Sequence, residues 1–309
     1  MSGRYSIGVD IGGTNIKAAL VARGKIIKRV KLPTKAQAGF HTSFNQIKSA
    51  IRLLDTKVAA IGVGIAGLIE PRKGVVRFSP NLPQWLDIPL SRLLSKEFKA
   101  RVKILNDADA ICLGEWKYGA GRRCDNVFLF TLGTGVGGAA VCEGRPLFGK
   151  HGFAGEFGHS VIKFNGRKCK CGNRGCLEAY VGARQIVARA KKLMKKKKSA
   201  LHKYEKLTPH IIANEAKKGD RVAKEVFSEI AFYIGVGVSN IVALFDPAVI
   251  IISGGISRAG RILFEPIKKT VAQRVMGAEY RRYKIVPPEL GDDAGILGAV
   301  YYAGSNLET

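Results

Sequence analysis

Several things are missing from this 309-residue chain. No apolar run approaches the roughly 18 residues that a bilayer-spanning helix needs, so no membrane partner is expected. No signal peptide is visible. Met1-Ser-Gly-Arg-Tyr5 leads straight into a strand pattern, and a soluble, cytoplasmic protein is the expectation. No low-complexity linker divides the chain, so any domain boundary is soft. The P-loop pattern G-x-x-x-x-G-K-[ST] is absent. Acidic residues are scarce, 24 against 51 Lys and Arg, which leaves a formal net charge of +27. Such a charge can release counterions from a phosphate backbone. The basic residues, however, are spread along the whole sequence. The one dense run, Lys191, Lys192 and Lys195 to Lys198, reads as the solvated face of a helix and the loop after it, with incidental anion binding as the alternative. No helix-turn-helix, RNA-recognition or paired zinc-finger pattern accompanies it, so no dedicated nucleic-acid partner is expected.

What is present describes a globular protein, 46% hydrophobic and 24% charged, long enough for two domains. The pattern opens with strands at Tyr5–Asp10, Ile16–Val21 and Lys25–Leu32. Helical spacing follows over 41–54, then a buried strand at Val58–Gly64 and a turn-rich loop at Pro80–Pro89 carrying Asn81 and Trp85. A short helix at Leu90–Phe98, a strand at Val102–Leu105 and a helix at about Ala108–Tyr118 come next. Val127–Leu132, a glycine turn and Ala139–Cys142 repeat the opening strand-turn-strand, which suggests two related halves. Residues 145–180 are rich in Gly and Cys with little regular structure. A long helix at about Arg221–Phe245 is stopped by Asp246-Pro247, a buried strand at Ala248–Ile252 follows, and a helix at about Gly295–Ala303 comes last. Alternating strands and helices predict an α/β fold.

Asp10-Ile-Gly12-Gly13-Thr14 with Lys17 has the composition of a phosphate-holding turn. The glycines allow close backbone approach, amides and the Thr14 hydroxyl can donate to phosphate oxygens, and Asp10 suits a hydrated Mg2+. An ordinary hairpin turn is the competing reading. Gly62-Val-Gly64-Ile-Ala-Gly67 and Gly133-Thr134-Gly135-Val-Gly-Gly138 match G-x-G-x-x-G, but neither opens a helix, so a dinucleotide site is not expected. The two glycine hairpins, with a third turn at Gly254-Gly255, are suited to converge on one nucleotide.

Asn106-Asp107 stands where a strand ends and a helix begins, the usual ligand-binding edge of an α/β sheet. Helix capping explains the pair equally well. Read functionally, Asp107 is a general base for a sugar hydroxyl. Asn81, Asn106, Glu156, His159 and Glu178 supply the carboxylate, amide and imidazole groups that bind sugar hydroxyls, although each taken singly can be a surface polar residue. Cys169-Lys-Cys171-Gly-Asn-Arg-Gly-Cys176, ten residues after His159, completes a tetrahedral zinc ligand set of three thiolates and one imidazole. Its net charge of about −1 is offset by Arg167, Lys168, Lys170 and Arg174. With no ligand position open, such zinc is structural and fixes His159 and Glu178 at a pocket wall. A free thiol cluster or a redox pair is the alternative. Cys112, Cys124 and Cys142 are isolated.

Together these motifs resemble the ROK kinases (repressors, open reading frames and kinases), and specifically their glucokinase-like members. The resemblance runs nearly end to end over Asp10–Lys17, Asn106-Asp107-Ala108, Leu132–Gly138, Gly155–His159 and Cys169–Glu178, and Arg77–Trp85 looks most like the glucokinases. It implies an actin-like ATPase (ribonuclease H-like) fold with two lobes and a cleft between them. The expected division is a smaller lobe at 1–107, completed by a helix at about 295–309, and a larger lobe at 108–294 carrying the zinc segment 159–176. It implies transfer of the ATP γ-phosphoryl group to a hexose, glucose first, with Asp107 as base. Asn81, Asn106, Glu156, His159 and Glu178 would then bind the sugar. Asp10, Gly12, Gly13, Thr14, Lys17, Thr134, Gly135, Gly254 and Gly255 would face ATP and Mg2+, and His159, Cys169, Cys171 and Cys176 would hold zinc. It also implies a homo-oligomer, dimer or tetramer. Asp109 stands where the family usually has Asn, and is expected to point away along its helix. The phosphate motif begins too near the start for the DNA-binding domain of the family's repressors. An N-acetylhexosamine or fructose kinase, and a sugar-sensing regulator or nucleic-acid-binding protein without turnover, remain as alternatives.

Overall fold

The structure, a computed structural model, describes residues 5–307. Residues 1–4, read above as the lead into the first strand, and 308–309 lie outside the described residues. In chain order come β1 (Ser6–Ile11), β2 (Asn15–Ala22), β3 (Lys25–Pro33), α1 (Phe40–Arg52), β4 (Ala60–Ile65), β5 (Leu68–Glu70), β6 (Val75–Phe78), β7 (Leu86–Ile88), α2 (Leu90–Phe98), β8 (Arg101–Asn106) and α3 (Asp107–Tyr118). They are followed by β9 (Val127–Leu132), β10 (Val136–Cys142), β11 (Arg145–Pro146), α4 (Glu178–Val181), α5 (Ala183–Met194), α6 (Pro209–Lys217), α7 (Arg221–Phe245), β12 (Val249–Ser253), α8 (Arg261–Arg274), β13 (Lys284–Val286) and α9 (Ala294–Gly304).

The chain forms two compact units. The first comprises Met1–Asp125, Ala139–Gly155 and Glu289–Thr309, and the second Asn126–Gly138 and Glu156–Pro288. This division leaves α3 with the strand that precedes it, whereas the sequence suggested a break after 107.

The first unit is built on a five-stranded sheet in the order β3-β2-β1-β4-β8, with β1, β4 and β8 parallel. The first G-x-G-x-x-G match lies in β4 and the turn after it, and its glycines serve packing. A Cβ at Gly62 would collide with the Ala299 carbonyl, and one at Gly8 would stand 2.6 Å from that of Ile296. Helices α3 and α9 meet just as closely, through Gly114 against Ala294 and Gly298 against Ala110. Gly8 and Gly62 let α9 lie directly on the sheet, and Gly114 and Gly298 let it lie directly against α3. We expect Gly62→Ala to cost about 3 kcal/mol, the upper range for overpacking, read as a lower urea midpoint at unchanged slope. The entry to α9 is pinned by Glu115. Its fully buried carboxylate accepts backbone N–H groups from Ala120 (2.9 Å), Glu289 (3.0 Å) and Leu290 (2.8 Å), which offsets the cost of burying a charge.

Residues 68–88, of which the sequence reading assigned only the turn-rich loop from Pro80, carry a small sheet in the order β5-β6-β7. Strands of three or four residues are too short to show a period, which is why they were not legible.

The second unit has β9, β12 and β13 as parallel neighbours. Strand β9 leads through the Gly133–Gly135 turn into β10. Helix α7 is apolar and long enough to pass for a membrane span, with a mean hydropathy of 1.6, yet 61% of that stretch is buried within the protein, so it reads as a core helix. It packs against α5, α6 and α8. Residues 145–180 are largely irregular, as expected.

Candidate functional site

In the first unit, parallel register puts Ile11 opposite Ile65 and Ile65 opposite Asn106. Asp10, Asn106 and Asp107 therefore stand at one carboxyl edge of one sheet, on strands two spacings, or about 10 Å, apart. The Gly12–Thr14 turn is closed by the Gly12 amide donating to the Asn15 carbonyl at 3.0 Å. Buried Thr34 supports it from behind, its hydroxyl donating to Gly12 O (2.6 Å) and its amide to Thr14 O (2.9 Å). Thr14 stands exposed at the tip. A Cβ on Gly13 would lie 3.1 Å from that of Asn81, so the turn runs directly against Asn81. The Asn81 loop is anchored by buried Trp85, whose indole N–H donates to Ser43 Oγ at 2.9 Å. Arg77 braces the strands beside it, bonding Glu70 and Asp87 at 2.7 Å each, and the Arg77 guanidinium holds the Glu70 carboxyl below its ordinary range.

Burial raises the Asp10 carboxyl. Lys17, with Nζ at 3.9 Å, acts against that rise, and Asp292 adds to it. A divalent cation would favour the ionised form, so the donor suits Mg2+. Asn106 is the N-cap of α3. Its Oδ1 accepts from the Ala108 amide (2.8 Å) and its Nδ2 donates to the Gly67 carbonyl (2.9 Å). The capping explanation thus holds for Asn106, while Asp107 is the first helical residue, half-buried, with Oδ1 3.0 Å from the Ala108 amide. Asp109 is buried inside the first unit and bears on the Cys112 thiol, which burial pushes well up.

In the second unit Thr134 is exposed at the tip of its turn, as Thr14 is in the first. Neither G-x-G-x-x-G stretch opens a helix. The turn is held from the segment 178–183. The Val136 amide donates to Glu178 Oε2 at 2.9 Å, the Ala183 amide donates to the Gly133 carbonyl at 3.0 Å, and a Cβ on Gly135 would collide with that same Glu178 oxygen. Register pairs Ser253 with Thr131, so Gly254-Gly255 follows β12 at the edge where β9 enters its turn. Gly254 adopts φ +90°, and a Cβ there would strike the Leu132 carbonyl.

The segment Glu156–His159 is seated by Phe157, which stacks on Phe128 and packs at a tilt against Phe130. His159 Nδ1 lies 3.7 Å from Cys169 Sγ, and Cys171 Sγ lies 3.7 Å from Cys176 Sγ. All four ligand atoms fall within 4.8 Å of one another. A tetrahedral zinc with bonds of about 2.3 Å to sulfur has edges of about 3.8 Å, so the donor set fits zinc. The three cysteines are free, and 3.7 Å is far beyond a disulfide bond. Burial pushes the Cys176 thiol up to about 12 and raises that of Cys169, whereas the Asn173 amide lowers that of Cys171. Ionising the two buried thiols calls for a cation. With Nδ1 turned to the sulfurs, His159 Nε2 faces Glu156 Oε2 at 4.0 Å. The Leu177 amide bonds the Ser160 carbonyl at 3.0 Å, which ties the segment bearing Glu178 to the one bearing His159.

Of the predicted residues, the first unit gathers Asp10, Gly12, Gly13, Thr14, Lys17, Asn81, Asn106 and Asp107. The second gathers Thr134, Gly135, Glu156, His159, Cys169, Cys171, Cys176, Glu178, Gly254 and Gly255. Sequence reasoning missed the supporting roles of Thr34, Arg77 and Ala183, although Arg77 opens the segment that resembles the glucokinases. Only Ala183 carries a local sign, a glycine before a helix start.

A model of the ROK family matches residues 6–305. A glucokinase of Thermotoga maritima is 40% identical over 301 residues, covering 95% of each chain. A crystal structure of a ROK family glucokinase from Streptomyces griseus, in complex with glucose and AMPPNP, superposes with a TM-score of 0.83 at 33% identity, over 97% of this chain and 99% of that one. A xylose repressor of Bacillus subtilis is 31% identical over 95% of this chain but only 75% of its own length.

Proposed function

The chain belongs to the ROK family, and from that premise we propose that it is an ATP-dependent glucokinase that converts glucose to glucose 6-phosphate, with Asp107 as general base. Its fold is the α/β actin-like ATPase fold. The observation that supports the reading is the common carboxyl edge of β1, β4 and β8, where a phosphate-type turn follows β1, Asp107 follows β8, and the Asn81 loop packs against the turn.

The chemistry follows from the residues. Phosphoryl transfer has a loose transition state, so positioning and charge outweigh proton abstraction. Asp107 orients the attacking sugar hydroxyl and takes its proton. Asn81, Asn106, Glu156, Glu178 and His159 bind the remaining hydroxyls, His159 through Nε2, because Nδ1, turned to the cysteine sulfurs, would hold the metal. Gly12, Gly13, Thr14, Lys17, Thr134 and Gly135 hold phosphates, and Gly254 and Gly255 the adenosine. Mg2+, held through Asp10, would neutralise the charge on the transferring group. Zinc would be bound by His159, Cys169, Cys171 and Cys176 and would shape the pocket wall. The same reading, resting on the family resemblance, makes it a cytoplasmic dimer or tetramer.

ADP release measured with glucose, mannose, fructose, N-acetylglucosamine and N-acetylmannosamine tests the reading. Glucose is expected to give the highest kcat/KM. A preference for an acetylated sugar or fructose would move the enzyme within its family, and release with no monosaccharide would sink the kinase reading. The non-catalytic alternative draws on the +27 charge and the repressor relative. It requires a salt-dependent DNA mobility shift without turnover.

A further inference from the structure

The carboxylate of Glu178 occupies an unusual place. Its Oε2 sits where the side chain of Gly135 would be, and it accepts the amide of Val136, the next residue of the turn, at 2.9 Å. Two further supports come from the same short segment. The Ala183 amide bonds the Gly133 carbonyl at 3.0 Å, and Gly182 is packed so closely that a Cβ there would lie 3.0 Å from the Thr134 carbonyl. Residues 178–183 thus underlie the whole Gly133–Val136 turn. At its other end the segment grows directly out of the cysteine knuckle, since the Ala179 amide bonds the Cys176 carbonyl at 3.0 Å.

Gly135 is not in the left-handed region, so its backbone would accept alanine, and the obstacle to a side chain is the Glu178 carboxylate alone. The missing side chain points toward Glu178. Glycine at 135 therefore serves the support beneath the turn, on the side to which its Cβ vector points.

We propose that Glu178 is a positioning residue for the nucleotide, fixing the Gly133–Val136 turn in its phosphate-binding shape in addition to its role toward the sugar. The inference rests on the kinase reading, in which that turn holds phosphate. An anion cradle works because its amides are oriented before the ligand arrives. A carboxylate that accepts one amide of the turn from beneath orients the others at no cost on binding. The same link makes the cysteine knuckle a support of the nucleotide side as well as of the sugar side.

The test is the affinity of the full-length, zinc-loaded protein for a fluorescent ATP analogue, titrated with Mg2+ and without sugar, with thermal melting as the check on folding. Glu178→Ala should weaken nucleotide binding about tenfold, the scale of one hydrogen bond to a charged group. Glu178→Gln, whose amide oxygen still accepts from Val136, should stay within about threefold of the unaltered protein. Gly135→Ala should weaken binding by about tenfold or more, and the double variant Gly135→Ala/Glu178→Ala should be no weaker than Glu178→Ala alone, because the collision has been removed. A Glu178→Ala affinity equal to that of the unaltered protein, or a Gly135→Ala penalty that persists in full in the double variant, overturns the proposal and leaves the kinase reading standing. An unaltered protein that binds no nucleotide takes both down.

Discussion

Asp107→Ala will lower kcat at least about 100-fold, the usual loss on removing a general base, while the protein keeps its fold. The second half of that expectation is structural. The helix beginning at Asp107 is capped by Asn106, whose side chain bonds both the Ala108 amide and the Gly67 carbonyl. Alanine at 107 leaves those bonds in place and is the best helix former. A coupled ADP-release assay should find kcat reduced with KM for glucose changed far less, because the proton moves only as the transition state is approached. Asp107→Asn should lose nearly as much, since the amide orients a hydroxyl but accepts no proton. Turnover intact in either variant would remove Asp107 from the chemistry.

Cys176→Ala will release the metal and with it most of the activity. Cys176 is fully buried, beside the Cys171 sulfur, and two residues before Glu178. Elemental analysis should find about one zinc per unaltered chain, as a closed three-thiolate, one-imidazole site requires, and near none in the variant. Altering groups that merely surround a metal costs 10–100-fold in affinity or activity, and losing a ligand should exceed that, with a lower melting temperature besides. A value near zero in the unaltered protein would take away the metal role of His159 and leave its ring as a sugar contact only.

The sequence carried the long elements and nearly the whole set of candidate residues. Helix α7 was legible because its apolar positions recur over 25 residues, and the strand at 127–132 because it is a short, nearly unbroken apolar run bounded by a glycine turn. The cysteine knuckle was legible as spacing alone. The three-stranded sheet over 68–88 was not, because its strands are shorter than any period they might show. Nor was the purpose of Gly62 in β4, since what it makes room for, α9, lies more than 200 residues further along the chain. The hold of Glu178 on the Gly133–Val136 turn was hidden for the same reason. A hydrogen bond across 42 residues leaves no local mark in either segment. Sequence named the groups proposed to meet ligands, and tertiary packing supplied the residues that hold those groups in place.

The placement of α9 has a consequence for biosynthesis. The first compact unit draws on the start of the chain and on residues from 289 onward, with the whole of the second unit encoded in between. While a ribosome is still making that middle portion, the sheet that bears Asp10 and Asp107 waits with its glycine-lined face open to solvent. The second unit, whose last residue is 288, has all its parts synthesised first, so it is expected to be able to close before the earlier-starting unit, against the usual N-terminal-first order of co-translational folding. That open interval is when a chaperone would have most to shield.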